Sequence, residues 1–323
     1  MGASSRGMGA SDPGLRRPFL TPALRDAYDT LVEGLYARSP SVELRDIGVA
    51  DIDEAYNAAV LDNPLLFDVS MLRYRILGRS TTISPCYGMS QAATERYRSK
   101  VLDRLDSFRS DVRGMSEYDR ELAVHDMLVN SVSYSMEAPN GRTLIGPLFN
   151  GSGVCRGISL AASFLLNGVG VQAGVATGLS NRGGPHAWNM VRLDGEWYHM
   201  DITWDLSEYG GHVKHDYMNV SDSFMRRTRT WQSLPTAPSM DRNYHTMSGV
   251  VIYRLEDLSA VFRRFVSERR RKIEVRISDP LIGSYEPARG TASFERELSR
   301  VGGRYASTFN PLTGCHVFDV VYR

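Results

Sequence analysis

The sequence predicts an α+β protein in which a helix that carries a cysteine packs on an antiparallel sheet. A helical region precedes this core, and a small α/β unit follows it. Three patterns support the prediction. Amphipathic helical periodicity dominates before Gly114, strand-like segments flank the dipeptide Asp194-Gly195, and strand-like and helix-like segments alternate beyond Pro238. An Asp-Gly pair between two alternating segments indicates a β-hairpin.

The composition is that of an ordinary globular protein. Hydrophobic residues make up 42% of the 323 residues and charged residues 23%, which argues against a fibrous, disordered or membrane-spanning chain. A net charge of +1 gives no sign of a nucleic-acid or membrane-surface partner. Cys86, Cys155 and Cys315 are too scattered for a disulfide framework or a structural zinc site. No signal peptide is visible, so we expect a cytoplasmic location if the chain is complete.

The part of the chain before the core divides into two segments. Residues 1–20 are rich in Gly, Ser and Arg and predict a flexible tail. Residues 21–115 predict a helical N-terminal region, because "PALRDAYDTLVEGLYA" and "ATERYRSKVLDRLDSF" place apolar residues at helical spacing, whereas "DNPLLFDVS" predicts a turn leading into a short strand. The segment "SEYD" offers a capping box at Ser116 and predicts a helix to about Tyr134.

The predicted core comprises residues 116–238. Within it, residues 154–166 predict a helix that is stopped by Asn167 and Gly168. The apolar inner face of this helix consists of Ile158, Ala161, Ala162, Leu165 and Leu166. The segments "VQAGVAT", "HAWNMVRL" and "EWYHMDITW" predict three strands, the last two joined by the Asp-Gly turn. Residues 239–323 then predict a small α/β C-terminal domain.

Cys155 lies in the first turn of this predicted helix. At a helix N-terminus, the unpaired N–H groups and the positive end of the helix dipole favour the thiolate, which is the reactive form of cysteine. Gly151 and Gly153 let the backbone approach a substrate closely, and the amide of Cys155 itself can face a developing oxyanion. The alternative is that Cys155 serves only as a small buried hydrophobic residue.

The predicted hairpin supplies a base for the thiol. If Asp194-Gly195 is a two-residue loop, Leu193 pairs with Glu196, and His186 and Asp201 become diagonal neighbours on one face. Diagonal neighbours lie roughly 7–8 Å apart at Cα, close enough for a carboxylate to accept a hydrogen bond from an imidazole. This arrangement predicts a Cys-His-Asp triad. The same face is predicted to line a cleft with Trp188, Trp197 and His199.

Three segments, in this order, resemble the transglutaminase-like superfamily and specifically its bacterial branch. They are "NGSGVCRG", "HAWNMVRLDGEWYHMDITWD" and "YMNVSD", and the family motifs run close to G-x-x-V-C-x-G, H-A-W-N-x-V and W-Y-x-x-D-x-T-W-D. The resemblance covers roughly residues 22–235. It implies a papain-like α+β core with the nucleophile at Cys155, the base at His186 and the orienting carboxylate at Asp201. It does not fix a reaction, because the superfamily includes cross-linking enzymes, peptidases, amidases and members with no known activity.

Other polar residues near these motifs have alternative interpretations. Asn150 is either a second oxyanion donor, as in papain-like enzymes, or a turn residue. His125 is interpreted as a packed or surface histidine. The residues that could be imagined as metal ligands are Cys155, His186, His199, Asp201, His212 and His215. Their spacings in the sequence match no zinc-binding pattern, so neither a metal nor another cofactor is predicted.

Two further patterns are interpreted as structural. The segment "GSGVCRG" departs from a dinucleotide-binding loop in its last interval, and the acidic residue that would bind a ribose is not evident. The basic runs "RRTRTW" and "SERRRK" are interpreted as solvated surface, because Asp and Glu elsewhere compensate their charge. Nucleic acid is therefore not a predicted partner.

The function that follows is cysteine-dependent acyl transfer on an amide or peptide bond through a thioester, with a peptide or protein amide as substrate. Hydrolysis is favoured over protein cross-linking, because the glycine-rich segment "SNRGGP" before His186 does not indicate a wall that excludes water. The alternative is a non-catalytic peptide-binding or scaffold module that keeps the fold.

Overall fold

The computed structural model describes residues 14–181, 183–206 and 214–323, and describes Met71 by its backbone alone. Within these ranges the protein has a mixed α+β architecture with separate sheets in its N-terminal, central and C-terminal parts. Each part has a buried apolar cluster of its own. None of the helices in the described ranges is long and apolar enough to cross a membrane.

The N-terminal part combines helices with a small antiparallel sheet. The helices are α1 (Pro22–Tyr36), α2 (Val49–Asp62) and α3 (Gln91–Asp111). The strands are β1 (Val42–Arg45), β2 (Val69–Leu77) and β3 (Ser80–Tyr87), in the order β1-β3-β2. The sheet corrects the expectation of a helical region. Most side chains of β2 are exposed, so this strand lacks the alternation of apolar and polar residues that marks a half-buried strand.

Residues 14–20 belong to the predicted flexible tail, yet they pack against the body of the protein. Leu15 and Leu20 are buried. The backbone N–H groups of Arg16 and Arg17 donate to the Asp62 carboxylate at the end of α2. The Arg16 side chain reaches the central sheet, where it donates to the Val175 carbonyl at 3.1 Å. Residues 1–13 of the predicted tail lie outside the described ranges.

The central part is built around α5, the helix that begins at the cysteine. Its helices are α4 (Glu117–Ser131), α5 (Cys155–Gly168), α6 (Ile202–Asp205) and α7 (Asp222–Met225). Its strands are β4 (Ser133–Tyr134), β5 (Ser152–Gly153), β6 (Gln172–Ser180), β7 (Pro185–Leu193), β8 (Glu196–Met200) and β9 (Arg229–Thr230). As predicted, Ser116 caps α4, accepting a hydrogen bond from the Asp119 N–H at 3.1 Å. The predicted inner face of α5 is buried in the central cluster.

The central sheet has the strand order β8-β7-β6-β9. Leu193 lies opposite Glu196, as the Asp-Gly turn predicts, and the β7–β8 pairing extends to Asn189 opposite Met200. The predicted strand through Trp204 is too long, because the chain leaves the sheet after Met200 and forms α6. Asp201 caps this short helix.

The C-terminal part is a second sheet covered by helices. Its helices are α8 (Tyr244–Met247), α9 (Leu258–Ser267), α10 (Asp279–Ile282) and α11 (Pro287–Leu298). Its strands are β10 (Val251–Ile252), β11 (Lys272–Ile277), β12 (Gly303–Asn310) and β13 (Cys315–Tyr322), in the order β10-β11-β13-β12. Phe262, Phe294 and Phe318 form the aromatic centre of its apolar cluster.

The fold depends on the apolar face of α5, so truncation there is expected to destabilise the whole central part. Leu165 has no exposed surface, and a Leu165→Ala substitution is expected to lower the free energy of unfolding by about 2–5 kcal/mol. Leu179→Ala is the control, because Leu179 is 57% exposed and its truncation is expected to change stability by no more than about 0.5 kcal/mol. Urea unfolding followed by circular dichroism measures both. Equal effects of the two substitutions would contradict this description of the core.

Candidate active site

Cys155 is the first residue of α5, as predicted, and its side chain is half-buried. Its backbone N–H belongs to the first turn and therefore has no acceptor within the helix. The helix can begin here only because residue 157 is glycine. A Cβ on Gly157 would lie 2.1 Å from the carbonyl oxygen of Gly141, and that same oxygen accepts a hydrogen bond from the Val154 N–H at 3.0 Å. The loop around Gly141 thus packs directly against the cysteine-bearing turn.

His186 and Asp201 lie together, as the hairpin register predicts. His186 Nε2 and Asp201 Oδ2 are 2.7 Å apart. Asp201 lies one residue beyond the end of β8, and its backbone N–H donates to the Tyr217 carbonyl at 3.1 Å. Its other carboxylate oxygen accepts the Trp204 N–H at 3.2 Å and caps α6. Asp201 is therefore anchored through its backbone N–H and through one carboxylate oxygen, while the other oxygen faces the imidazole.

The imidazole connects Asp201 to the thiol. His186 also lies close enough to Cys155 for each group to shift the pKa of the other, and because Nε2 faces Asp201, Nδ1 is the ring nitrogen available to the sulfur. Burial would raise the pKa of the Cys155 thiol, but His186 and the backbone N–H groups of Ala187 and Arg156 outweigh it and lower the pKa below its ordinary value. Burial would lower the pKa of His186, but Asp201 and Cys155 raise it to about 9. Both shifts favour a thiolate and an imidazolium at neutral pH.

Arg229 completes the charge balance, and the sequence did not predict it. Burial would raise the pKa of Asp201, but Arg229 and His186 lower it to about 2. The Arg229 Nε donates to Asp201 Oδ2 at 2.9 Å, and its Nη2 donates to the same oxygen. Its guanidinium carbon lies 3.8 Å from the Trp204 ring centroid and 4.5 Å from that of Tyr217.

The interpretation of "RRTRTW" as solvated surface is therefore wrong at Arg229, although Arg226 and Arg227 in the same run are exposed. No local spacing distinguishes Arg229 from its neighbours. Its position depends on β9 pairing with the far edge of the central sheet, opposite Ser180. The burial of Arg229 therefore becomes visible only in the tertiary structure.

The predicted cleft residues Trp188 and His199 are fully buried and do not line a cleft. The chain returns over this face of the sheet: His199 pairs with Val220, and its ring lies 4.7 Å from that of Trp231. The Trp188 indole N–H donates to His199 Nδ1 at 2.9 Å. Trp197, the third predicted cleft residue, is partly buried against the same apolar cluster.

These buried aromatics form a wall behind His186. The Trp188 and His186 rings stack at 6.0 Å with an interplanar angle of 19°. His199 Nε2 lies 2.8 Å from Asp222 Oδ1, and burial nevertheless keeps the pKa of His199 below its ordinary value. A neutral His199 accepts the indole N–H of Trp188 and donates to Asp222. This wall fixes the plane of the His186 ring.

The exposed side of the thiol is flanked by groups that the sequence did not identify. Tyr134, in β4, is 50% exposed. The pKa of its phenol is raised, first by burial and next by the charge of the nearby Cys155 thiolate. Arg142 lies close to the same phenol and opposes that shift. A cavity of about 490 Å³ along β6 and β9 is lined by other residues, so the thiol opens to a different surface from this cavity.

Asn150, the candidate oxyanion donor, is exposed and donates its side-chain amide to the Pro139 carbonyl at 2.8 Å. This hydrogen bond fits the alternative interpretation of Asn150 as a turn residue. The role of Asn150 as a second oxyanion donor stays a prediction. The residues named in the alternative metal set do not form one cluster. His215 lies with Asp126 and Glu274, away from the triad, and His212 lies outside the described ranges. His125 is packed and fully buried.

If Arg229 keeps Asp201 ionised, the Arg229→Gln substitution is expected to make the imidazolium form of His186 less stable. A larger fraction of Cys155 is then expected to be the protonated thiol. Alkylation of Cys155 by iodoacetamide near pH 6, followed by peptide mapping, is expected to slow by roughly tenfold, the effect of one pKa unit. The substitution also removes one partner of a buried ion pair, which lowers stability by roughly 3–5 kcal/mol, so a thermal melt must show that the variant is folded.

Two further variants make this test specific. Arg229→Lys keeps the positive charge and is expected to restore part of the rate. Arg227→Gln is the matched control, because Arg227 belongs to the same basic run but pairs with Asp279 at the surface. An unchanged alkylation rate in folded Arg229→Gln, or an equal loss in Arg227→Gln, would contradict the assigned role.

Two solved structures are similar to parts of this chain. A crystal structure of a TGase matches at 18% identity with a TM-score of 0.30, covering 46% of this chain and 48% of that chain. A candidate cysteine protease from Cytophaga hutchinsonii matches at 17% identity with a TM-score of 0.25, covering 45% of this chain and 65% of that chain. The chain thus spans about half of the first structure and less than two thirds of the second. A search of curated proteins gives no match.

The sequence itself matches a family model. Residues 107–202 match the model of the transglutaminase-like superfamily, and this segment contains Cys155, His186 and Asp201. Arg229 lies beyond the matched segment. Residues 107–202 therefore form a transglutaminase-like superfamily domain, as the resemblance of the cysteine and histidine motifs predicts.

Proposed function

We propose that this protein is a cysteine-dependent enzyme that transfers an acyl group from an amide or peptide bond through a thioester, with Cys155, His186 and Asp201 as its catalytic triad. One observation carries the proposal: the His186 imidazole lies beside the Cys155 thiol, whose pKa it lowers, while its Nε2 is 2.7 Å from the buried carboxylate of Asp201. A nucleophile, a base and a group that orients the base are the parts that acyl transfer requires. The match of residues 107–202 to the transglutaminase-like family model supports the same reaction class.

The first half of the reaction forms the thioester. The Cys155 thiolate attacks the carbonyl carbon of the substrate, and the negative charge moves to the carbonyl oxygen. The N–H group of Cys155 at the start of α5 is a suitable donor to this oxygen, aided by the positive end of the helix dipole. The carbon–nitrogen bond then breaks, and the His186 imidazolium gives its proton to the departing amine.

The second half releases the acyl group. A water molecule or an amine attacks the thioester carbon and gives its proton to the now neutral His186. The carbon–sulfur bond breaks, and the sulfur leaves as a thiolate beside the regenerated imidazolium. Asp201 stays ionised throughout, because Arg229 and His186 hold its pKa at about 2. Its role is to orient the imidazole and stabilise its charge.

Hydrolysis is the favoured outcome of this second half. Transfer to a protein amine requires a surface that delivers a lysine side chain and keeps water away from the thioester. Gly183 and Gly184, just before His186, are exposed and have φ values of +89° and +93°. An exposed glycine turn of this kind favours an active-site edge that is open to water over a wall that excludes it. A second pair of glycines, Gly210 and Gly211 after Asp205, also favours an open edge from the sequence, but it lies outside the described ranges.

A partition experiment tests both the reaction class and its outcome. The protein is supplied with a panel of glutaminyl and other amide peptides together with a labelled primary amine in excess. We expect Cys155-dependent turnover in which hydrolysed product exceeds aminated product. Cys155→Ser is expected to abolish turnover, whereas Cys86→Ser, a matched change at another incompletely buried thiol, is expected to leave it unchanged.

The other outcomes separate the alternatives. Mainly aminated product, or lysine-linked multimers that require Cys155, would overturn the preference for hydrolysis but keep the acyl-transfer chemistry. Absence of turnover across the panel, together with a Cys155 that iodoacetamide modifies no faster than Cys86, would contradict an enzyme and favour the peptide-binding scaffold.

A further inference from the structure

We propose that His125, Asp126 and His215 form a binding site for Zn²⁺ at the junction between α4 and the C-terminal sheet. One potential ligand atom from each residue lies within 4.8 Å of the other two. Two imidazole nitrogens and a carboxylate oxygen form a ligand set that suits Zn²⁺ and leaves a fourth position open. The site is separate from the thiol and does not depend on the function proposed for it.

The three atoms lie close enough together to converge on one ion. Asp126 Oδ1 lies 3.0 Å from His125 Nδ1 and 3.0 Å from His215 Nε2, and the two ring nitrogens lie within 4.8 Å of each other. Ligands about 2.0–2.1 Å from a tetrahedral ion lie roughly 3.3 Å from one another. Binding of Zn²⁺ therefore requires a small outward movement of Asp126 and a convergence of the two rings on the ion. The Asp126 side chain is 40% exposed, so it has room to move.

The opposite nitrogen of each ring is held by a buried carboxylate. His125 Nε2 lies 3.1 Å from Asp205 Oδ2, and His215 Nδ1 lies 3.2 Å from both Glu274 oxygens. Both carboxylates are buried. Metal-binding histidines characteristically donate their second N–H to a carboxylate, which fixes the tautomer and aims the other nitrogen at the metal. Both rings have this arrangement here, and the second nitrogen of each ring faces Asp126.

The site can be reached from solvent. A cavity of about 230 Å³ is lined by Asp126 and His215 together with Tyr244, Ser248 and Arg270. An ion bound by the three ligands keeps its fourth position available to water or to a ligand on this side. Glu274 belongs to β11, so the ion would strengthen the contact between the central part and the C-terminal sheet.

The test uses the full chain in a Cys155→Ser background, which removes the thiolate as a competing metal ligand. The protein is stripped with a chelator and titrated with Zn²⁺ in a calorimeter and with Co²⁺ in a spectrophotometer. We expect one ion per chain, visible ligand-field absorption without a thiolate-to-cobalt charge-transfer band, and a rise of a few degrees in the thermal midpoint. Asp126→Asn is expected to weaken binding at least tenfold, as is His215→Gln. Asp103→Asn, an exposed carboxylate change on α3, is expected to have no effect.

Three results would overturn the proposal: no uptake of either ion by stripped protein, uptake that survives Asp126→Asn, and a charge-transfer band that signals sulfur. If His215→Gln does not fold, X-ray absorption of the zinc-loaded parent protein decides instead. Nitrogen and oxygen neighbours with the scattering pattern of two imidazoles support the site, whereas a sulfur neighbour contradicts it. If His125 and His215 are instead both protonated and paired with the carboxylates, the stripped protein would take up neither Zn²⁺ nor Co²⁺, and the proposal would be wrong.

Discussion

The arrangement of the site depends on one buried carboxylate. Asp201 has no exposed surface, and an isolated carboxylate in such a position would take up a proton. It remains ionised because one of its oxygens faces two cationic side chains, His186 and Arg229, while the other caps α6. These contacts join β7, α6 and the more distant β9 at one point. The charge on Asp201 is thus a structural requirement, and the proposed function depends on it as well.

The reactive thiol follows from this charge. Asp201 stabilises the imidazolium form of His186, and the imidazolium in turn stabilises the thiolate of Cys155. The four charged groups, two acidic and two basic, cancel, so the low-dielectric interior tolerates them together. The buried wall of Trp188 and His199 keeps the His186 ring in the plane where both contacts persist.

The triad could be predicted from sequence because each member is fixed by local rules. A glycine-rich turn before an apolar helix locates the start of α5, and the Asp-Gly turn sets the hairpin register that brings His186 to Asp201. The predicted cleft was wrong because alternation assigns a residue to a face but does not say what covers that face. The position of Arg229 depends on long-range strand pairing, which leaves no periodic signal in the chain. The β2–β3 hairpin was missed because most side chains of β2 are exposed and show no alternation of apolar and polar residues.

The central claim is that Cys155 exists as a thiolate paired with a protonated His186. The most direct measurement is the pH dependence of thiolate ultraviolet absorption in the wild type minus that in Cys155→Ser. Because the thiol pKa is lowered, the difference signal is expected to appear at a lower pH than that of an ordinary thiol, whose pKa is about 8.5. A signal that first appears near or above that value would contradict the account.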